Sequence, residues 1–289
     1  MSPNYSVATR SDVSTAGSSP EGVVLSAPVA ASGPPPPGLP AEAYGSDRYF
    51  EQEQKTVFAR TWVCVGVASD VPNPGDVYPT EVAGMPIVLV RDGRRTPGEQ
   101  TTLRAFHNIC RHRGLQLVNK PCNVQGNLRC PYHSWTYKLD GTLRNTPHFG
   151  GYHQSSYIGF DRTSKGLLPI RCEQWLDLVF VNLSGDAPPL AEYLQPARDR
   201  WADYDLSLLR REPREVNLQC RANWKLAVEN FSESYHLSWV HPSLNSCSRM
   251  EDHFGFDLGD THVGQGSLLY KSGVIEGRSL PQFPGLEAA

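Results

Sequence analysis

Cys110-Arg111-His112-Arg113-Gly114, followed with seventeen residues between His112 and Cys130 by Cys130-Pro131-Tyr132-His133-Ser134-Trp135, is the stretch whose reading decides the fold. Each segment carries one thiol and one imidazole. A zinc finger pairs like with like, Cys-x-x-Cys and then His-x-x-x-His, and this pattern does not. One thiolate and one imidazole from each of two loops suit an iron pair with unlike ends, in which two cysteines hold one iron and two histidines the other. Imidazole in place of thiolate raises the potential from about −400 mV to roughly −150 to +300 mV, which suits relaying electrons towards oxygen chemistry.

The flanks agree with a Rieske [2Fe-2S] site. Asn108, Arg113-Gly114 and Pro131 predict two tight loops whose backbone N–H groups turn towards sulfides. Trp135 and Tyr137 alternate with Thr136 and Lys138 up to an Asp140-Gly141 hairpin turn, so the loops hang from hairpins of a small antiparallel β domain. Cys110, His112, Cys130 and His133 are the candidate cluster ligands, with Trp135 beside them.

A second constellation runs from Asn223 through Trp224, Val228, Asn230, Phe231, Glu233, Tyr235 and His236 to His241-Pro242. Asn223 is a candidate N-cap, and the apolar side chains recur at three- or four-residue spacing, predicting a helix that Pro242 stops. Trp224, Val228, Phe231 and Tyr235 then form the packed face, while Asn230, Glu233 and His236 share the opposite stripe. His241 lies five residues beyond His236, which an ideal helix does not align. If both imidazoles bind one metal, the helix must unwind near Ser238 to Val240. Two histidines and one carboxylate make the facial triad of non-haem Fe(II) oxygenases.

Together, in this order and separation, the two motifs resemble the α subunit of Rieske non-haem iron oxygenases, the aromatic-ring-hydroxylating dioxygenase superfamily, over about residues 40 to 289. The resemblance implies that Cys110, His112, Cys130 and His133 ligate the cluster, that His236 and His241 ligate the catalytic Fe(II), and that Asn230 is an amide near the iron. Glu233 matches the family's bridging carboxylate, which links a cluster histidine of one subunit to an iron histidine of its neighbour, because the two metals of one chain are too far apart for transfer. A head-to-tail homotrimer is therefore expected. Many aromatic dioxygenases have aspartate at this position; glutamate is similar to the choline, glycine betaine and carnitine monooxygenase branch. In the family the third iron ligand is an Asp or Glu far downstream, and Ala289 is 48 positions after His241, so the expectation is an N-terminal piece of an oxygenase without that ligand. Asp252, Asp257 and Asp260 are the nearest carboxylates and are expected to be solvated.

The function that follows is oxidation of a small organic substrate by dioxygen, with electrons drawn from NAD(P)H by a reductase or ferredoxin. A hydroxylation or demethylation of a quaternary or N-methylated amine is expected first. The alternatives are cis-dihydroxylation of an aromatic ring and a non-catalytic Rieske electron carrier. A quaternary ammonium calls for an aromatic cage, an aromatic substrate for an apolar slot.

A net charge of −3 gives no footprint for nucleic acid or an anionic membrane, and no run of eighteen apolar residues predicts a spanning helix. Beyond the two cluster cysteines, Cys64, Cys122, Cys172, Cys220 and Cys247 are expected as reduced, partly buried thiols. Residues 1–40, rich in Ser, Ala, Gly and Pro, read as a disordered tail; organelle import stays open beside a cytoplasmic location, since Asp12 and Glu21 are the tail's only acids.

The expected organisation is a Rieske domain over 41–185 with an N-terminal covering helix from Ser46 to Arg60, then the N-terminal part of a catalytic domain over 186–289. Strands are expected at Ile87–Arg91, Leu103–His107, Leu128–Arg129 and Leu178–Leu183, a helix at Leu190–Tyr204, and catalytic-domain strands at Val216–Cys220 and Gly266–Val274. The fold class is α+β, a small antiparallel β domain followed by a helix-grip-like domain. His107, His148 and His153 are expected as turn or packing residues, and His253 and His262 have no assigned role.

Overall fold

The computed structural model describes residues 37–93, 101–209, 211, 218–246, 248–259, 261–268, 274–275 and 278–279. All but the last four positions of the expected tail lie outside them. The chain forms two compact units, one made of Phe50–Glu192 and the other of residues up to Tyr49 together with those from Tyr193 onward.

The Phe50–Glu192 unit is antiparallel β structure. Strands β1 (Val63–Val67), β2 (Asp76–Val82), β3 (Met85–Asp92), β4 (Thr102–His107), β5 (Cys122–Asn123), β9 (Pro169–Trp175) and β10 (Leu178–Asn182) form one sheet, ordered β1-β10-β9-β4-β3-β2-β5. Strands β6 (Asn127–Arg129), β7 (Thr136–Lys138) and β8 (Leu143–Asn145) form a second. All four strands expected for this region are present.

The unbroken apolar run Ile87-Val88-Leu89-Val90 explains why β3 lies inside the sheet, between β4 and β2, since each of the four is 0% exposed. Alternate side chains of a strand point to opposite faces. Ile87 and Leu89 pack with Val82, Ala105, Ile170, Val179 and Val181 on one face. Val88 and Val90 pack with Val77, Phe106, Cys110, Cys130, Trp135 and Tyr137 on the other. One strand thus ties the structural core to the cysteine-bearing loops.

The expected covering helix, Ser46 to Arg60, is α2 (Asp47–Glu53) continued by a wider π turn over Gln54–Phe58, and a separate turn, α1 (Glu42–Gly45), precedes it. Ser46 caps the covering helix by accepting from Tyr49 N at 3.4 Å. Phe58, at its end, packs on the β1 side of the sheet.

The expected helix at Leu190–Tyr204 is broken into α3 (Leu190–Tyr193) and α4 (Gln195–Arg200), the latter in the other unit. Pro196, which has no N–H to give, sits in the first turn of the second piece, where none is needed. Of the strand expected at Val216–Cys220, Val216 lies outside the described residues, and Leu218 and Cys220 are irregular and exposed. The strand expected at Gly266–Val274 is the end of a longer hairpin, β11 (His253–Leu258) with β12 (His262–Ser267), while Val274–Ile275 (β13) pairs separately with Arg278–Ser279 (β14). Among the described residues no helix is long and apolar enough to cross a membrane.

Candidate metal centres

The two cysteine loops are built alike. Cys110 N donates to Leu115 O at 2.8 Å and Gly114 N to Cys110 O at 3.0 Å; Cys130 N donates to Trp135 O at 2.8 Å and Ser134 N to Cys130 O at 3.0 Å. Gly114 and Ser134, the matching fourth residues after each cysteine, both have positive φ, +74° and +57°. Asn108, fully buried, closes the first loop: its Oδ1 accepts from Leu117 N and Val118 N at 3.2 and 3.0 Å, and its Nδ2 donates to Val118 O at 2.7 Å. Each loop is therefore a rigid backbone knot that aims one thiol and one imidazole.

Cys110 and Cys130 are each 2% exposed, and the His112 and His133 rings stand 4.8 Å apart at 69°. Trp135 lies flat on His112, centroids 4.8 Å apart and planes 6° from parallel. The Tyr137 hydroxyl accepts from Arg111 N at 3.0 Å and lies 3.3 Å from Cys110 Sγ. Burial pushes the Cys110 thiol up, as does Cys130, against the lowering effect of Tyr137. Burial, then the neighbouring His133 and Arg113, holds His112 below the usual imidazole range, so it stays neutral and able to ligate. A buried sulfur that resists ionising alone is one a metal ion deprotonates. Two buried thiols and two imidazoles fit a [2Fe-2S] cluster with unlike ends. Among the described residues no three His, Cys, Asp or Glu side chains converge as a single-metal site requires, and donors come in pairs.

The second centre lies on the helix after Asn223, whose Oδ1 accepts from Lys225 N at 3.1 Å as an N-cap does. This helix, α5 (Trp224–Ser232), ends where Glu233 turns extended, φ −121° and ψ 150°. A single turn, α6 (Leu237–Val240), is bracketed by His236 and His241, and α7 (Pro242–Asn245) follows. The break thus falls just before His236, and Ser238–Val240, expected to unwind, are helical. Pro242 opens α7 instead of ending the run. Even so, the two imidazoles meet, centroids 5.3 Å apart at 76°, because His236 opens the α6 turn and His241, at φ −125° and ψ 58°, leaves the helical path at its end.

The Glu233 carboxylate causes the break. It accepts from the amides of Tyr235 and His236, the latter at 3.3 Å, and pairs with His236 Nδ1, so the chain turns round it. Burial raises its pKa, but these donors outweigh that and hold it below the usual carboxylate range. An imidazole whose Nδ1 is tied to a carboxylate offers Nε2 to a metal in a fixed orientation. Asn230 stays on α5, exposed, and does not share a stripe with Glu233.

The expected packed face of α5 is also corrected. Val228, Phe231 and Tyr235 are 47%, 75% and 76% exposed, and nothing among the described residues covers them. Lys225 is buried instead, its ammonium 5.7 Å from the Tyr44 and Tyr49 rings and 5.2 Å from Trp224. Tyr44 Oη donates to Glu229 at 2.6 Å and Asn223 Nδ2 donates to Tyr44 O at 3.2 Å, which is why residues 42–49 group with this unit.

A cavity of about 320 Å³ opens beside Glu233, Tyr235, Met250, His253, Phe254 and Gln265. Asp252 is held by Arg249 at 2.8 and 3.1 Å, Asp257 lies in β11, and Asp260 is outside the described residues. His148 and His153 both take positive φ in a turn, and burial keeps His107 below the usual range. Cys64, Cys122 and Cys220 are exposed rather than partly buried; Cys172 is half-buried and Cys247 lies outside the described residues.

The "Rieske [2Fe-2S] domain" family model matches residues 61–157, and that of the "Ring hydroxylating alpha subunit (catalytic domain)" residues 199–283. The glycine betaine monooxygenase oxygenase subunit of Chromohalobacter salexigens is 35% identical over 215 residues, covering 74% of this chain and 45% of the relative. The carnitine monooxygenase oxygenase subunit of Escherichia coli K12 is 32% identical over 256 residues, covering 87% and 63%. The crystal structure of the quaternary ammonium Rieske monooxygenase CntA superposes with a TM-score of 0.65 at 28% identity, covering 75% of this chain and 57% of that one. The chain thus spans 45% to 63% of the length of these relatives. With a Rieske [2Fe-2S] domain ahead of a ring-hydroxylating α-subunit catalytic region, the chain belongs to the Rieske non-haem iron oxygenase α subunits.

Proposed function

We propose that this chain is the oxygenase component of a monooxygenase or demethylase of small quaternary or N-methylated amines, receiving electrons from a reductase or ferredoxin that oxidises NAD(P)H. The similarity to glycine betaine and carnitine monooxygenase oxygenase subunits carries this reading, and Glu233, in place of the aspartate of many aromatic dioxygenases, supports it. When bound, a [2Fe-2S] cluster supplies single electrons and a mononuclear Fe(II) supplies dioxygen activation.

The chain's own residues supply the geometry. Cys110 and Cys130 would hold one iron of the cluster, His112 and His133 the other, with Trp135 beside them. His236 and His241 would hold the mononuclear iron, and Asn230 would act as an amide near it. Glu233 fixes the His236 tautomer, keeps a negative charge beside the imidazole, and is the natural acceptor for a cluster histidine of a neighbouring subunit in a homotrimer. Residues up to about 40 are a tail, 41–185 the Rieske domain and 186–289 part of the catalytic domain, in a cytoplasmic protein.

The test is product analysis. Anaerobically reconstituted protein, with a reductase and NADH, is offered glycine betaine, carnitine and naphthalene under ¹⁸O₂. Oxygen-dependent demethylation or C–N cleavage of an amine, lost in His241→Ala, is the expected result. A cis-diol from naphthalene with no amine turnover refutes the substrate assignment.

A further inference from the structure

The hairpin that follows the cluster loops does something the ligand motif does not specify. Phe149 stands perpendicular to both members of the His112–Trp135 stack, at 85° to His112 with centroids 5.6 Å apart and at 89° to Trp135 with centroids 5.0 Å apart. A ring set across the edges of two parallel rings blocks them from sliding, and His112 cannot turn about its own axis without displacing it. His133 has no such stop: its neighbour Tyr132, at 3.7 Å, is 59% exposed.

The backbone that carries Phe149 is shaped to hold it there. His148 and His153 both adopt left-handed φ of 60°, a region that non-glycine residues enter rarely, and His148 Nδ1 accepts from His153 N at 2.9 Å. Gly150 passes so close to the returning chain that an added Cβ would lie 1.8 Å from Ser156 O. Thr146, fully buried, bonds Ser155 O and closes the base of the loop. Strained, self-bonded loops of this kind persist where surrounding structure uses them. Here the product of the strain is one apolar ring set against one imidazole.

We propose that Phe149 is a positioning residue for the cluster: it fixes the plane of His112 against Trp135, so that of the two iron-bound imidazoles one is held in place and the other, exposed, is free to meet a partner. The proposal rests on the Rieske reading, and orientation of a metal-bound imidazole by its surroundings is the general means by which proteins tune a centre.

Phe160 gives an internal control, because it touches the same aromatic group, Trp135 at 5.9 Å and Phe149 at 4.9 Å, without a ring contact to His112. Full-length wild type, Phe149→Ala, Phe149→Leu and Phe160→Ala would be reconstituted anaerobically and compared by electron paramagnetic resonance of the reduced cluster and by iron release to a ferrous chelator. Loss of the ring contacts to His112 is expected to shift or broaden the g-values and to speed iron release about tenfold in Phe149→Ala. Phe149→Leu, which keeps bulk but not the ring, should shift the g-values with less release, and Phe160→Ala should retain the wild-type signal at a comparable fall in melting temperature. Wild-type g-values and release in both Phe149 variants, or identical behaviour of Phe149→Ala and Phe160→Ala, overturns the proposal. A wild-type protein that takes up no iron and sulfide overturns the Rieske reading instead, and the proposal with it.

Discussion

Replacing Tyr137 by Phe isolates one hydrogen bond at the cluster. Tyr137 is 0% exposed, so its ring keeps its packing in the variant and only the hydroxyl is lost. That oxygen already accepts from Arg111 N at 3.0 Å, which leaves its single proton to point at Cys110 Sγ, 3.3 Å away. Burial, then Cys110 itself, pushes the phenol far above the usual range, so the donor is present at every working pH. A sulfur ligand carries more negative charge when the cluster is reduced, so a donor to it favours the reduced state. Taking the net worth of such a bond as about 0.5 to 1.5 kcal/mol, and about 59 mV for each tenfold change in a one-electron equilibrium, the variant's midpoint potential should fall by about 20 to 65 mV. Redox titration followed by visible circular dichroism reads this directly, at pH 6 and pH 8, with the same fall at both. A potential within about 10 mV of wild type, or a rise, would refute the assignment of the proton.

Other outcomes follow from the second centre and from the cores. Glu233→Gln keeps the shape of the turn but removes the charge that holds His236, so Co(II) titration should show affinity falling about 10- to 100-fold while His241→Ala abolishes binding. Cys172 is pushed up by burial from 9.0 to about 12, so the unfolded chain gives up its proton first. Its contribution to stability is complete below about pH 9 and is lost as pH rises towards about 12; urea melts at pH 7 and pH 10 should show a loss that Cys172→Ala reduces. Asn223→Ala removes both the cap of α5 and the donor to Tyr44 O, and a cost of about 1 to 2 kcal/mol in urea unfolding is expected, against about 0.5 to 1.5 kcal/mol for Tyr44→Phe.

The cluster was legible because its chemistry is written in ligand types at short spacing and its loops repeat one local hydrogen-bond pattern. The strands beside it were legible because runs such as Ile87–Val90 have no solvent face to alternate towards. The iron helix was read less well. Periodicity treats Glu233 as one more helical position, whereas its carboxylate caps the following turn and ends the helix, a competition between side chain and backbone that spacing does not reveal. The same periodicity marked Val228 and Phe231 for a core that no described residue supplies. Phe149 left no signal: an aromatic in Pro147-His148-Phe149-Gly150-Gly151 looks like any loop residue until Trp135 and His112 are placed beside it.

The position of β1 sets the order in which the Phe50–Glu192 unit can be made. This strand is at the edge of its sheet and pairs with β10, Val63 opposite Val181, a separation of 118 residues. At about 5 to 20 residues per second of synthesis, roughly 6 to 24 s pass between the two strands leaving the ribosome. In the later part of that interval, once Trp135 has emerged, both cysteine loops exist while the valines of β1 still lack their partner strand. The two cysteines lie on the other face of β3, in a core whose last buried residue to emerge is Leu167, so the residues that wall them have all left the ribosome before the partner of β1 does.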